Sequence, residues 1–243
     1  MLEILYEEPH FLLINKPSGL FSQSAAGVES VQSLLVAQLA VRDQHAGQPF
    51  IGLPHRLDRG TSGVMLLARN QRALQRFGEQ FHSRKVAKFY LAAVAGEMRG
   101  GCELLSDYLR KIPDVPMAEI VAADAPGAKL AEMRVTPLAS DGSVTLVDVE
   151  MLTGRMHQIR LQLATRGWPV LGDAVYGSQQ SFGPVDPEGR RQSLALHAWR
   201  LEFRHPQTAK PVAFNAPLPT TWLELPPEIL SSATQKVLPI LKV

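Results

Sequence analysis

Short apolar runs separated by turn-forming residues recur along the chain and predict a protein rich in β-strands. Residues 4–6 and 11–15 are two such runs on either side of a polar segment containing Pro9, a pattern that indicates a strand, a turn and a strand. Similar runs occur at residues 64–68, 89–94, 144–150, 197–204 and 212–214, of which the last two are expected to form a hairpin.

Apolar residues at helical spacing predict three helices among these strands. Ser30, Asn70 and Thr153 each precede one of the stripes and are expected to be the N-caps. The stripes consist of Val31, Leu34, Leu35 and Leu39 in the first helix, Leu74, Phe77 and Phe81 in the second, and Met156, Ile159 and Leu163 in the third.

The order of these elements indicates an α+β fold, because strands and helices do not alternate strictly. Residues 100–143 are expected to be irregular with a few short strands, since they contain Pro113, Pro116 and Pro126, and residues 178–192 are expected to be a loop. The 243 residues are enough for one large domain. We place this domain at residues 1–225 and leave residues 226–243 as a tail without an assigned role.

Composition excludes several classes of protein. Apolar residues make up 45% and charged residues 20%, which is ordinary for a globular protein. The single Cys102 excludes an internal disulfide and a cysteine-rich zinc site, and the seven histidines are not spaced as metal ligands. No signal peptide or membrane-spanning run is present, so we expect a cytoplasmic protein. We also expect the protein to be monomeric and to contain no metal.

Positive charge is concentrated in one segment. The net charge of the whole chain is +2, whereas residues 56–88 alone carry a net charge of +6. Arg72, Arg76 and Arg84 lie off the apolar stripe of the second helix and should be exposed, where they could contact a phosphate backbone. From the charges alone, a solvent-exposed helix face that contacts no phosphate is an equally good interpretation.

Asp58 is the first candidate for chemistry. It lies between Arg56 and Arg59 in a glycine-bounded turn, and neighbouring positive charge favours the ionised form of a carboxylate. An ionised Asp can serve as a nucleophile or a base. The alternative is a structural Asp that pairs with one of the two arginines to order the turn.

The segment at residues 154–161 is the second candidate. We expect the first two turns of the third helix to contain Arg155, His157 and Arg160. Cations at this end of a helix interact unfavourably with the helix dipole, so their presence indicates an anionic partner. That partner could be a carboxylate or an RNA phosphate, and a solvated basic face is the alternative. No nucleotide-binding glycine loop, zinc-protease motif or serine-hydrolase motif is present.

Several segments together resemble RluA-type RNA pseudouridine synthases. The sequence H-R-L-D-R-G-T-S-G at residues 55–63 is similar to the H-R-L-D-x-x-T-S-G signature of that family, and G-R-M-H-Q-I-R at residues 154–160 is similar to its G-R-x-H-Q-[IL]-R motif. Further similar segments, in family order, are N-K-P-S-G at residues 15–19, K-F-Y at 88–90, P-V-L-G-D at 169–173 and L-H-A at 196–198.

The resemblance implies a mixed, largely antiparallel, bifurcated β-sheet flanked by helices, with a central RNA-binding cleft. It also implies a stand-alone catalytic domain, without the S4-like domain found in many relatives. The implied reaction breaks the glycosidic bond of uridine in ribosomal or transfer RNA, turns the base and rejoins it through C5, without a cofactor or metal.

The resemblance also implies roles for individual residues. Asp58 would carry the chemistry, by attacking the sugar or by removing a proton from it, and Arg155 would pair with Asp58. Tyr90 would stack on the target base and assist proton removal from C5. Arg56 would fill the space left by the flipped uridine, and His55, Thr61, Lys88, Ile159 and Leu161 would contribute to substrate binding. A place in the hydrophobic core is the alternative for Ile159 and Leu161.

Two other interpretations compete with a synthase. A catalytically idle RNA-binding module of the same fold would be favoured by replacement of Asp58, which is present. A glycosidase would need a second catalytic carboxylate, and the segments at residues 55–63, 88–90 and 154–160 contain no acid other than Asp58. The sequence does not identify the uridine that is modified.

Overall fold

Ten strands form one sheet in the residues that the computed structural model describes, namely 1–23, 27–44, 47–184 and 193–237. The strands are β1 (Glu3–Glu7), β2 (Phe11–Lys16), β3 (Ser62–Ala68), β4 (Ala87–Ala95), β5 (Glu103–Lys111), β6 (Ala118–Val121), β7 (Lys129–Ser140), β8 (Val144–Met151), β9 (Leu196–Arg204) and β10 (Pro211–Asn215). Their order is β1-β2-β3-β9-β4-β8-β7-β5-β6, with β10 paired to β9 beside this path.

The sheet forks at β9. One edge of β9 pairs with β4, while the other pairs with β3 at residues 197–198 and with β10 at residues 200–204. The contact of β3 with β9 is parallel and all the other pairings are antiparallel. The predicted α+β fold with a mixed, largely antiparallel, bifurcated sheet is therefore confirmed.

Gly63 makes the parallel contact possible. Its φ is +117°, and a Cβ atom at this position would lie 2.2 Å from the carbonyl oxygen of Ala198. Only a residue without a side chain allows the two backbones to approach so closely. The glycine of the T-S-G segment thus joins β3 to β9 at the fork.

Four helices flank the sheet, namely α1 (Val31–Arg42), α2 (Gln71–His82), α3 (Gln158–Ala164) and α4 (Pro227–Val237). Two predicted N-caps are confirmed, because the side chains of Ser30 and Asn70 accept hydrogen bonds from the third residue of their helices. The cap predicted at Thr153 is wrong. His157 precedes α3, and the Thr153 hydroxyl lies 2.7 Å from the Gln158 side-chain oxygen.

The prediction of an irregular segment at residues 100–143 is also wrong, because β5, β6 and β7 occupy most of it. Pro113 and Pro116 lie in the turn between β5 and β6, and Pro126 lies in the turn between β6 and β7. The prolines therefore separate the strands without interrupting them. Residues 178–184 are irregular, as expected, and the rest of the predicted 178–192 loop lies outside the described residues from position 185 onward.

Most of the buried apolar side chains described belong to two large hydrophobic clusters. One cluster packs α1 and α2 on β1–β3, and the other packs α3 and α4 on β4, β7 and β8. Ile229, Ala233 and Val237 of α4 are buried in the second cluster, so residues 227–237 of the predicted tail pack on the same domain. Tyr90 contacts both clusters and marks the line along which they meet.

Candidate active site

A cleft of about 1110 Å³ runs along the boundary between the two hydrophobic clusters. Among the residues described, Asp58 is the only carboxylate that lines it. The cations that line it come from both sides and are Arg56, Arg59, Arg84, Lys88, Lys111, Arg155 and Arg160. An excess of positive charge around one carboxylate suits a polyanionic ligand that approaches a single reactive group.

The loop that carries Asp58 is anchored on both sides. The Ser22 hydroxyl donates to the carbonyl of Leu57 and accepts from its backbone N–H, at 2.7 and 3.0 Å. Lys16 is fully buried, and its ammonium donates to the carbonyls of Thr61 and Arg59 at 2.8 and 3.2 Å. The carboxylate therefore projects from a loop whose backbone is fixed before and after it.

Lys16 was not among the predicted site residues, although it lies in the N-K-P-S-G segment. The available signal was a lysine inside an apolar strand, because such a side chain is buried only when it has partners. Burial lowers the pKa of Lys16 to about 7, while the charge of Asp58 acts to raise it. Lys16 thus supports the Asp58 loop both by hydrogen bonds and by charge.

Arg160 is the arginine that contacts Asp58. Its Nη1 lies 3.4 Å from Asp58 Oδ2, while its Nε and Nη2 donate to the two carboxylate oxygens of Asp173 at 2.6 and 2.8 Å. Such a two-bond contact fixes the plane of the guanidinium. Asp173 is fully buried and acts as the clamp that directs the third nitrogen of Arg160 to Asp58.

The predicted pairing of Arg155 with Asp58 is wrong. Arg155 lies in the turn before α3, where its Nε donates to the carbonyl of Leu130 at 2.9 Å. The error follows from the late start of α3, since a helix beginning at Gln158 leaves Arg155 outside it. Arg155 still lines the cleft, so it stays available to an anionic ligand.

His157 also approaches the carboxylate. Its φ of 52° lies in the left-handed region, and its Nε2 is 3.9 Å from Asp58 Oδ2. Its Nδ1 lies 2.9 Å from the Tyr176 hydroxyl, which accepts a hydrogen bond from the backbone N–H of Ala118 at 3.0 Å. Burial lowers the pKa of His157 although Asp58 acts to raise it, so the ring beside Asp58 is neutral at pH 7.

Tyr90 lines the cleft from the central strand β4. The pairing of β4 with β9 shifts its register between Phe89 and Tyr90, and such an irregularity redirects the side chains that follow it. Burial, with a further contribution from the charge of Asp58, raises the pKa of Tyr90. Its phenol is therefore neutral at pH 7.

The structure brings most of the other predicted binding residues to the cleft, with different kinds of support. Lys88 donates to the carbonyl of Thr153 at 3.1 Å, and its pKa is lowered to about 8 by burial and by the neighbouring Arg155 and Arg84. His55 accepts from the backbone N–H of Leu66 at 2.9 Å, and burial lowers its pKa to about 3. The further predicted residues that line the cleft are Arg56, Thr61, Arg84 and Ile159.

Three predicted binding residues do not line the cleft. Leu161 is buried with Leu109, Ala118 and Ala131, because it lies on the face of α3 that packs on the sheet. Arg76 donates to the carbonyl of Pro206. Arg72 is exposed in the first turn of α2, roughly 15 Å along the helix from the end that reaches the cleft, at a rise of about 1.5 Å per residue.

Neither a metal cluster nor a membrane-spanning helix occurs in the described ranges. No group of three or more His, Cys, Asp or Glu side chains there could hold a metal ion. None of the helices described is long and apolar enough to cross a membrane.

Comparison with known proteins identifies one family. The family model described as RNA pseudouridylate synthase matches residues 10–165. Ribosomal large subunit pseudouridine synthase D of Pseudomonas aeruginosa is 35% identical over 230 residues, which are 92% of this chain and 70% of that protein. Synthase C of Vibrio vulnificus is 33% identical over 217 residues, which are 88% of this chain and 65% of that protein.

Solved structures show the same fold. Human RNA pseudouridylate synthase domain containing 1 is 26% identical, with a TM-score of 0.67 over 90% of this chain and 84% of that one. Human RNA pseudouridylate synthase domain containing 4 is 24% identical, with a TM-score of 0.73 over 91% of this chain and 90% of that one. This chain belongs to the RNA pseudouridylate synthase family. It spans about two thirds of the length of several curated relatives, for example 65% of the Vibrio vulnificus protein.

Proposed function

We propose that this protein converts uridine in ribosomal RNA to pseudouridine, with Asp58 as the catalytic carboxylate. The observation that carries the proposal is the position of Asp58, the single acid among the described residues lining a cationic cleft, held by Arg160 on a doubly anchored loop. The names of the relatives, which refer to the large ribosomal subunit, support ribosomal RNA as the substrate. Transfer RNA stays a possible second substrate class.

Asp58 is proposed to act on the sugar of the target nucleotide, either by attack on C1′ or by removal of a proton from the ring. The N1–C1′ bond then breaks and the uracil turns. A bond forms between C1′ and C5 as the Asp58–C1′ bond breaks in the first route, or as Asp58 returns the proton to the sugar in the second. The proton on C5 leaves and N1 gains one, so that the product is an isomer of the substrate. Arg160 keeps the carboxylate aimed at the sugar in each step.

Tyr90 is proposed to stack on the flipped uracil. A neutral phenol suits this role, since its raised pKa keeps charge away from the face that meets the base. Arg56 is exposed at the rim of the cleft. We assign it the space that the uridine leaves in the RNA stack, because a target base inside folded RNA must be flipped out before it can react.

Substitution of Asp58 by Asn tests the proposal. The amide keeps the shape of the side chain and removes the anionic oxygen, so activity should vanish while RNA binding persists. Release of tritium from RNA carrying 5-tritiated uridine measures turnover, in excess EDTA and without nucleotides, because no cofactor is expected. The matched control is Asp124→Asn, at an exposed position outside the cleft, which should retain full activity.

A rate for Asp58→Asn close to that of the wild-type protein would overturn the assignment of Asp58. Binding of RNA without tritium release by the wild-type protein would instead favour the idle RNA-binding module. A pseudouridine map of cellular RNA with and without the gene would identify the target uridine. The expected monomeric state and cytoplasmic location stay predictions.

A further inference from the structure

Phe21 is a large apolar side chain exposed at the cleft. It is 39% exposed and lines the cleft, and it belongs to none of the three hydrophobic clusters formed by the described residues, although its neighbour Leu20 packs against one of them. Its backbone is fixed, because its carbonyl accepts a hydrogen bond from Val31 N at 2.8 Å at the start of α1. The chain therefore presents an aromatic face to the cleft from a fixed position.

Arg59 covers part of that face. Its guanidinium carbon lies 4.7 Å from the centre of the Phe21 ring. Its Nε donates to the carbonyl of Gly19 at 3.1 Å, while the backbone N–H of Gly19 donates to the carbonyl of Arg59 at 2.8 Å. Within the described residues, no carboxylate forms a salt bridge with Arg59. A planar cation and an aromatic ring are thus held together at the cleft, and none of the described acidic residues pairs with the cation.

These two groups have the chemistry of a nucleobase-binding surface. Unstacked bases of RNA bind to the faces of aromatic side chains and to the guanidinium plane of arginine. Stacking of this kind contributes about 1–3 kcal/mol per base when measured by alanine substitution, and it tolerates different bases because each has a π-face. A single exposed apolar residue elsewhere on a surface would need no explanation, but Phe21 lies in the cleft that is proposed to receive RNA.

We propose that Phe21 and Arg59 form a stacking site for a nucleobase beside the target uridine. Arg59 follows Asp58 directly in the chain, so the occupant is a nucleotide within two positions of the one that reacts. This inference rests on the proposed function for the identity of the reacting nucleotide. The site differs from the role assigned to Arg56, because it holds a neighbouring base rather than the space that the target has left.

A binding experiment with base-deleted RNA tests the site. The probe is a nine-nucleotide single-stranded RNA centred on one uridine, together with four versions in which one nucleotide at −2, −1, +1 or +2 lacks its base. Phe21→Ala should weaken binding of the intact RNA by about 5- to 150-fold, the range that corresponds to the loss of one stacked base. For one of the four base-deleted RNAs, Phe21→Ala should cause no further loss.

Three other variants sharpen the result. Phe21→Tyr keeps a flat ring and should bind like the wild-type protein, whereas Phe21→Leu keeps apolar volume without a ring and should bind like Phe21→Ala. Phe50→Ala is the matched control, since Phe50 is 43% exposed but lies outside the cleft, and it should not change binding. Thermal unfolding of each variant shows that it is folded.

Two outcomes would overturn the stacking site. In one, Phe21→Ala weakens all five RNAs equally or none of them, which means that Phe21 meets no particular base. In the other, Phe21→Leu binds like the wild-type protein, which means that volume rather than a flat ring is needed. Tritium release from the intact RNA is followed in parallel, so an inactive wild-type protein that still shows the base-dependent loss would contradict the proposed function alone.

Discussion

At the scale of single residues, the orientation of Asp58 depends on a second carboxylate that does not line the cleft. Asp173 occupies two nitrogens of Arg160, and the remaining Nη1 is thereby directed to Asp58. Arginine is suited to this relay because its planar guanidinium offers donors in a fixed fork, which lysine does not. The arrangement makes Arg160 a positioning residue for the proposed catalytic carboxylate.

Replacement of Arg160 by Lys should therefore lower the turnover rate on the order of 100-fold, the cost of a misplaced reacting group. Arg155→Lys should retain most of the wild-type rate, because the Arg155 guanidinium donates to a backbone carbonyl and forms no ion pair with Asp58. Single-turnover tritium release measures both rates, and filter binding should show similar RNA affinity for both variants. A slower rate for Arg155→Lys than for Arg160→Lys would restore Arg155 as the partner of Asp58.

At the scale of the elements, α2 presents its two ends to different surroundings. Its C-terminal end reaches the cleft through Phe81, His82 and the following Arg84, whereas Arg72 lies in the first turn. Arg84 has a φ of 56°, in the left-handed region, directly after the C-cap residue Ser83. Of these two arginines, Arg84 is therefore the one that is placed to contact RNA in the cleft.

The salt dependence of RNA binding should separate these two arginines. Arg84→Ala should reduce the slope of log K against log salt by roughly 0.7–0.9, the value for one phosphate contact. Arg72→Ala should leave the slope unchanged, since Arg72 does not line the cleft. Binding measured at several salt concentrations gives both slopes. Equal effects of the two substitutions would mean that RNA extends along the whole of α2.

Which elements could be predicted depends on whether their signals are local. The caps of α1 and α2 were predictable, because Ser30 and Asn70 bond to residues three positions later. The start of α3 was not, because Thr153 bonds to Glu132 and Gln158 and the chain makes a left-handed turn at His157 first. Strand pairing of β5 with β7 is likewise non-local and was hidden by the prolines in the turns.

The same distinction applies to the site. The motifs showed that Asp58, Tyr90 and a cluster of arginines belong to one surface, and the structure places them along one cleft. The motifs could not show which arginine meets Asp58, because that depends on where α3 begins. The support from Lys16 was also hidden, since the two acceptors through which it holds the Asp58 loop lie 43 and 45 residues further along the chain.

At the scale of the whole molecule, His197 connects elements that are distant in sequence. It is fully buried, its Nδ1 lies 2.9 Å from the Ser62 hydroxyl, and its Nε2 lies 3.3 Å from the carbonyl of Ala216. These contacts suit a neutral ring that donates from Nε2 and accepts at Nδ1. Burial lowers the pKa of His197 to about 4.

Acid should therefore destabilise the fold through His197. Between pH 6.5 and pH 4 the unfolded chain binds a proton at this residue and the folded chain does not, so stability is lost as the pH falls, by about 2 kcal/mol at pH 5. His197→Gln should flatten the dependence of the unfolding free energy on pH, as measured by urea unfolding between pH 7 and pH 5. His82→Gln, at an exposed position, is the control. An unchanged pH dependence in His197→Gln would contradict a neutral buried ring.

The fork at β9 has a mechanical consequence for recognition. Hydrogen-bonded strands run without interruption from β1 to β6, so both sides of the cleft belong to one sheet. If the two sides of the cleft moved towards each other, the hydrogen bonds of β9 to β3 or to β4 would have to break. A packed sheet resists that deformation. The protein would then keep its shape on binding, and the bending and unstacking would occur in the RNA. Uridines in segments that are already kinked or loosely stacked would be modified most readily, so the mechanics of the RNA would help to select the target.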